Sequence, residues 1–290
     1  MNVGEKIRKL RLEKMMTQSE LSGDQVTRNM LSLIEKDKAV PSLQTLNYIA
    51  SRLNVSPAFL LADEREEKML VKYSKISDIR LAFKNKSYKI CMDMCKRLGR
   101  HHEIKDDEIK LIMAECALEI AKEEIFADRV RVACAYLDDA VAYSAETSYN
   151  AKHVYVAAGL LFDYLGELSP SIVSENLDFE AVSLEGARIL CTDSEFLRYV
   201  VAVKDTDSEY SFEKEAYRLH AQAKRCMANE ELDKAHNLLN DVLKLDEPLV
   251  GVVLYNVFND LEDCCRRMGN SKNARRYAEE KVTQLERLLS

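Results

Sequence analysis

Residues 17–35, TQSELSGDQVTRNMLSLIE, hold two helix starts within a single short stretch. Thr17 and Glu20 stand in capping-box register. The hydroxyl can accept the amide three residues on, and the carboxylate can reach back to the N–H of Thr17, so a short helix is predicted from Gln18. Leu21 is its apolar contact, and Ser22 is small enough to let another helix cross closely. Gly23-Asp24 reads as a turn, because Gly allows positive φ and Asp can bond nearby amides. In the second helix Val26, Met30, Leu31 and Ile34 share one apolar face at helical spacing, leaving Thr27, Arg28, Asn29, Ser32 and Leu33 pointing mostly elsewhere.

The flanks extend this pattern into a domain. Upstream, VGEKIRKLRLEKM (3–15) directs Ile7, Leu10 and Met15 toward a core, with Lys6, Arg8, Lys9 and Arg11 around them. Downstream, Ser42 can cap LQTLNYIASRL, in which Leu43, Leu46, Ile49, Ala50 and Leu53 form an apolar stripe. Ser56-Pro57 places a capping hydroxyl before a proline at the first helical position, which starts a fifth helix at FLLA.

This array resembles the XRE family of phage-repressor-like DNA-binding domains. Their pattern runs TQxxLA, a turn, V-S/T-R-x-x-I-S-x-I-E, a second turn, then PSLxTLxxIAxxLxVS, and the likeness covers residues 3–62. The segment between Leu21 and Val26 is one residue shorter than usual, and Ser22 replaces the common Ala. The resemblance implies double-stranded DNA as a partner, with Gln18 and Thr27 at phosphate-contacting helix starts and Arg28, Asn29 and Leu33 facing base edges. Arg can bond guanine in bidentate fashion, Asn can do so with adenine, and Leu can meet a thymine methyl. Ser32, beside them, and Lys38, a cation for the phosphate backbone, complete the expected DNA-binding set. Exposed Arg and Asn also occur on helical docking modules, but five correctly spaced helices favour DNA.

Charge is divided unevenly. Residues 1–62 hold nine basic and six acidic side chains, whereas the whole chain carries −7, leaving −10 on the remainder. A weakly positive head on an acidic body suits specific rather than indiscriminate contact with phosphate.

From Ala58 to Ser169 there is no proline, and the only glycines are Gly99, Gly159 and Gly166. With no Asn-Gly or Asp-Gly hairpin signal and with apolar residues at three- and four-residue spacing, the chain is expected to be all-α. MNVGEKIRK is polar, unlike a secretory leader, and the longest apolar run, VYVAAGLLF (154–162), falls short of the ~20 residues a bilayer requires. A cytoplasmic protein without a membrane partner is expected. No GxSxG, HExxH, phosphate-binding glycine loop or CxxC pair occurs, so neither catalytic residues nor a cofactor is assigned.

The eight cysteines sit mostly within apolar helix faces, as small buried hydrophobes in a reducing setting would. Cys91, Cys95, His101 and His102 are four possible zinc ligands. However, the two cysteines share a helix face with Ile90, Met94 and Leu98 while the histidines lie in a polar break, so no metal is assigned.

Faint repetition runs through the body. SYKICMDMCKRL (87–98), ELDKAHNLLNDVL (231–243) and SKNARRYAEEKV (271–282) each begin a helix with a small residue near the start, Cys91, Ala235 and Ala274, after an amphipathic helix and a polar break. The spacing of Ala223, Ala235 and Pro248 is that of a tetratricopeptide repeat. At ~34 to 40 residues per helix pair, residues 66–290 would hold five or six pairs in a helical solenoid. The first helix of each pair lines a concave groove, which in such stacks commonly takes an extended peptide or a partner segment. On LVGVVLYNVFNDLEDCC, Asn256, Asn259, Asp260 and Asp263 form a polar stripe, and Tyr217, His220 and Lys224 form a second; either is equally readable as solvated surface. Asn suits a peptide groove because one amide both donates and accepts.

Residues 1–64 are therefore expected to form a five-helix repressor-like DNA-binding domain, joined through charged ADEREEK to a tetratricopeptide-like solenoid at 66–290. That organisation resembles the Gram-positive peptide-pheromone regulators. The resemblance implies a sequence-specific transcription regulator whose body binds a short signalling peptide; on the residues named, Tyr217, His220, Lys224, Asn256, Asn259 and Asp263 would face it. A homodimer is expected, because a single small head contacts only a half-site. The alternative is a DNA-binding regulator whose body serves only dimerisation or partner docking.

Overall fold

The computed structural model describes residues 1–102, 106–169, 172, 174, 177, 194–207 and 210–290, with the side chains of 100–102 left aside. Every regular element among them is a helix, in agreement with the all-α expectation. The described residues divide into two units. One holds residues 1–81 with the part of one helix that begins at Lys96; the other holds residues 82–95 and the described residues from 106 onward.

The first unit opens with α1 (Val3–Glu13), α2 (Gln18–Ser22), α3 (Arg28–Glu35), α4 (Leu43–Leu53) and α5 (Pro57–Leu61). Each start is fixed by a side chain. Thr17 and Glu20 close their capping box at 3.2 and 2.6 Å, and Thr27, Ser42 and Ser56 accept the amides of Met30, Thr45 and Phe59. Gly23 ends α2 at φ +48°, a left-handed conformation in which glycine is the unstrained choice. Ile7, Leu21, Val26, Leu31, Ile34, Leu46, Ile49, Ala50, Leu53 and Leu60 form one core.

Periodicity misplaced several side chains. Met15 is 93% exposed, because α1 ends at Glu13 and Met15 turns away in a left-handed backbone. Met30 is 42% exposed: the core side of α3 is narrow and is filled by Leu31, Ile34 and Glu35. Leu43, in the first turn of α4, is 69% exposed. Lys6 and Arg11, expected at the surface, are buried. Lys6 Nζ donates to the carbonyls of Ala62 (2.5 Å) and Phe59 (3.3 Å) and pairs with Glu67 at 3.1 Å. The charged stretch ADEREEK, which joins the head to the body, opens a helix. Asp63 and Glu66 make a reciprocal cap, each accepting the other's amide at 2.8 Å, and α6 (Glu64–Lys84) begins there with acids suited to a helix N-terminus.

The second unit is built from α7 (Tyr88–His102, of which residues 88–95 belong here), α8 (Asp107–Phe126), α9 (Val130–Glu146), α10 (Lys152–Gly166), α11 (Glu195–Lys204), α12 (Glu215–Ala228), α13 (Leu232–Val242), α14 (Gly251–Arg267) and α15 (Ser271–Leu289). The pairs α8–α9, α12–α13 and α14–α15 pack as hairpins, and α12 also packs on α14, as stacked repeats do. Ala223 and Ala235 are fully buried where α12 meets α13, within a core that continues through Val257, Leu261 and Tyr277. Small residues at the expected register let these backbones approach. Ile90, read as part of a buried face, is 62% exposed, while Cys91 and Cys95 are buried. The imidazoles of His101 and His102 lie outside the described side chains, and no cluster of metal-binding groups occurs among the described residues.

Candidate DNA interface and polar groove

On α3 the outward face carries Arg28 and Asn29, both exposed, with Leu33 exposed and Ser32 half-buried farther along. Met30 joins this face, giving it a second apolar contact that helical spacing had assigned to the core. Thr27 caps the helix, its Oγ accepting from the Met30 amide at 3.1 Å, so the hydroxyl proton can still turn outward. Lys38 is exposed beyond the end of α3.

Gln18 is placed differently from a simple surface residue. Its Nε2 donates to Glu35 Oε2 at 2.8 Å, and Glu35 is held bidentately by Arg11, with Nε–Oε1 at 2.6 Å and Nη2–Oε2 at 3.0 Å. Arg11 Nη1 reaches the carbonyl of Met16 at 2.8 Å. This buried group ties α1, α2 and α3 into one rigid unit and fixes the angle at which α3 is presented. It also removes Arg11, like Lys6, from the charge that phosphate would meet.

Two adjoining hollows lie in the second unit. The first, about 330 Å³, is lined by Asp163, Tyr164, Glu167, Val203, Lys204, His220, Lys224, Asn256, Asn259 and Asp260. The second, about 480 Å³, shares Lys224, Asn259 and Asp260 and adds Met227, Glu262, Asp263, Arg266 and Lys281. Five of the six residues expected to face a peptide therefore line one continuous polar groove. Tyr217 is apart from them, buried and stacked on Tyr199 with ring centroids 4.4 Å apart.

Asp260 organises the groove floor. Burial pushes its carboxyl up, but hydrogen bonds from His220 and Lys224, together with the nearby lysine charge, hold it below the usual carboxylate range. His220 Nε2 lies 2.9 Å from Oδ2 and Lys224 Nζ 3.0 Å from Oδ1. The other imidazole nitrogen meets the hydroxyl of Tyr199 at 2.8 Å, and that hydroxyl lies 3.5 Å from that of Tyr164. Asn259 Oδ1 accepts from Lys281 Nζ at 3.2 Å. Among the described residues the Asn259 NH₂ has no acceptor. Lys204 is paired to both Asp163 and Glu167, and Lys281 to the buried Glu262. The roles of Asp260 and Lys281 depend on residues packed across helices, which spacing along one helix does not reveal.

Residues 7–60 match the helix-turn-helix family model. They form an XRE-type helix-turn-helix domain, and this domain places DNA among the chain's partners. No curated protein matches the chain. Among solved structures, similarity extends to Bacillus thuringiensis PlcR, described in complex with the peptide PapR7 and DNA, at 15% identity over 100% of this chain and 99% of that one, with a TM-score of 0.24. The apo competence regulator ComR of Streptococcus vestibularis aligns at 17% identity over 97% and 91% of the two chains, with a TM-score of 0.22. The pheromone receptor Rgg2 of Streptococcus dysgalactiae aligns at 13% identity over 98% and 100%, with a TM-score of 0.20. No described helix is long and apolar enough to cross a membrane.

Proposed function

We propose that the chain is a sequence-specific transcription regulator of the cytoplasm, reading DNA through α3 and binding a short peptide in the groove walled by α12 and α14. The observation that carries the DNA reading is the exposed pair Arg28 and Asn29 on a helix whose opposite side is locked into the helix-turn-helix core. Arg28→Ala is expected to cost about 1–3 kcal/mol of binding and to relax preference at one base pair. Lys38→Ala should instead weaken all sequences alike and flatten the salt dependence. Competition binding against specific and random DNA separates the two, and equal losses on both DNAs for both variants would defeat the base-reading assignment. Two such heads spaced about one helical turn apart call for a homodimer, which sedimentation of the full chain, free and on DNA, would test.

Support for the peptide reading comes from Asn259, whose amide NH₂ lies without an internal acceptor where the two hollows meet, beside the half-buried Lys224. An extended peptide offers the carbonyls such donors need. The second reading, a body that only dimerises or docks a protein, is favoured by the groove's own ion pairs, which already satisfy Lys204, Lys224 and Lys281. Calorimetric titration of synthetic short peptides, with and without DNA, distinguishes them. A peptide that weakens DNA binding tenfold, about 1.4 kcal/mol, must bind tenfold less well to the DNA complex. Asn259→Ala should weaken the peptide and leave DNA affinity in its absence unchanged. Equal peptide affinity for free and DNA-bound protein would remove the sensor role.

A further inference from the structure

Asp128 lies in the turn between α8 and α9, in a left-handed backbone at φ +59°. Its Oδ1 accepts the N–H of Gly251, the first residue of α14 and 123 positions away in the chain, at 2.7 Å. Its Oδ2 lies 3.2 Å from Arg287 on α15. One carboxylate thus joins the α8–α9 hairpin to both members of the α14–α15 hairpin, and α9 packs on α15 beside it. The approach is close: a Cβ on Gly251 would lie 2.6 Å from Asp128 Oδ1 and 2.6 Å from Gln284 Nε2, so both side chains would have to shift to admit it. The stack of helices from α8 to α15 therefore closes on itself through this contact, and α14, the wall that carries Asn256, Asn259 and Asp260, is anchored at its first residue by a side chain that lies outside the groove.

We infer that Asp128 is a positioning residue for the groove: by fixing the start of α14 against α8–α9, it sets the separation of α14 from α10, α11 and α12 and so the width available to a ligand. The inference rests on the groove being the ligand site. Its geometry, however, can be read without any ligand. Methyl NMR of the full chain follows Val252 at the anchored turn, Val203 in the first hollow and Met227 in the second. In Asp128→Ala all three signals are expected to shift or broaden, and the amides of the first turn of α14 to exchange about tenfold faster, the effect of losing one hydrogen bond to a charged group. Gly251→Ala, which keeps the carboxylate but crowds it out, should reproduce the pattern, and Asp128→Asn, which tolerates the left-handed backbone and keeps one acceptor, should show it weakly. These two variants serve if Asp128→Ala does not fold. A change confined to Val252, or no change, would reduce Asp128 to a helix cap and overturn the proposal. Because no peptide enters the measurement, that outcome is distinct from a failed peptide titration.

Discussion

Glu35→Ala is expected to destabilise the helix-turn-helix unit by about 3–5 kcal/mol, the cost of stranding a buried guanidinium. Arg11 would lose both carboxylate bonds, keeping only its contact with the Met16 carbonyl, and Gln18 would lose its acceptor. Since 5–15 kcal/mol is the usual total for a domain, the variant head should lose a large share of its stability and unfold at a lower temperature, and on unfolding it should lose specific and non-specific DNA binding together. Replacing the whole group, Arg11→Met with Glu35→Leu, should restore much of the stability, because removing both partners leaves no stranded charge. Hydrogen exchange of α1–α3 in the full chain reads the head separately, which matters because two units need not unfold together. Near-wild-type protection in Glu35→Ala would mean that the pair contributes little.

The second large effect concerns Asp260. Asp260→Ala leaves His220 fully buried beside a cavity and frees Lys224, at an expected cost of about 3 kcal/mol to the second unit. The pH dependence has a definite sign. The folded carboxyl titrates below its unfolded value, near 3.9, so its stabilisation is fully present above about pH 4 and is lost as pH falls through the lower folded value. The stability gap between wild type and Asp260→Asn should therefore narrow as pH falls below about 4. Denaturant melts at several pH values measure this, and a gap unchanged at pH 3 would contradict the low folded value.

Local chemistry made the head legible. Thr17 with Glu20, Ser42 and Ser56 all cap where their types and spacing placed them, because a cap depends only on residues three positions apart. What spacing could not reveal were pairings between distant positions. Lys6 and Arg11 look like surface cations on α1, and only the folded chain brings Glu67 and Glu35 to them. Met30 and Leu43 lie in the first turns of α3 and α4, on sides that the core, filled by Leu31 and Ile34 and by Leu46 and Ile49, does not reach. In the body, the small residues Ala223, Ala235 and Ala274 marked the helix crossings correctly. The polar stripe on α14 was visible as well, but its division into a buried Asp260, a half-open Asn259 and a more exposed Asp263 depends on α12 and α15. Tyr217, three positions before His220, was read as its groove neighbour and instead packs among Phe196, Tyr199 and Phe212.

The lysine at position 6 bears on how this head could be moved between proteins. Its ammonium is buried at 3% exposure, and among the described residues the only carboxylate it meets is Glu67, in the first turn of α6. A fragment ending at residue 64 would keep the five short helices yet maroon a positive charge with two carbonyls for company. One extending to residue 81 would keep the counter-ion. The portable DNA-reading module is in this sense six helices long, and a chimera that grafts it onto another sensor should take α6 along with it.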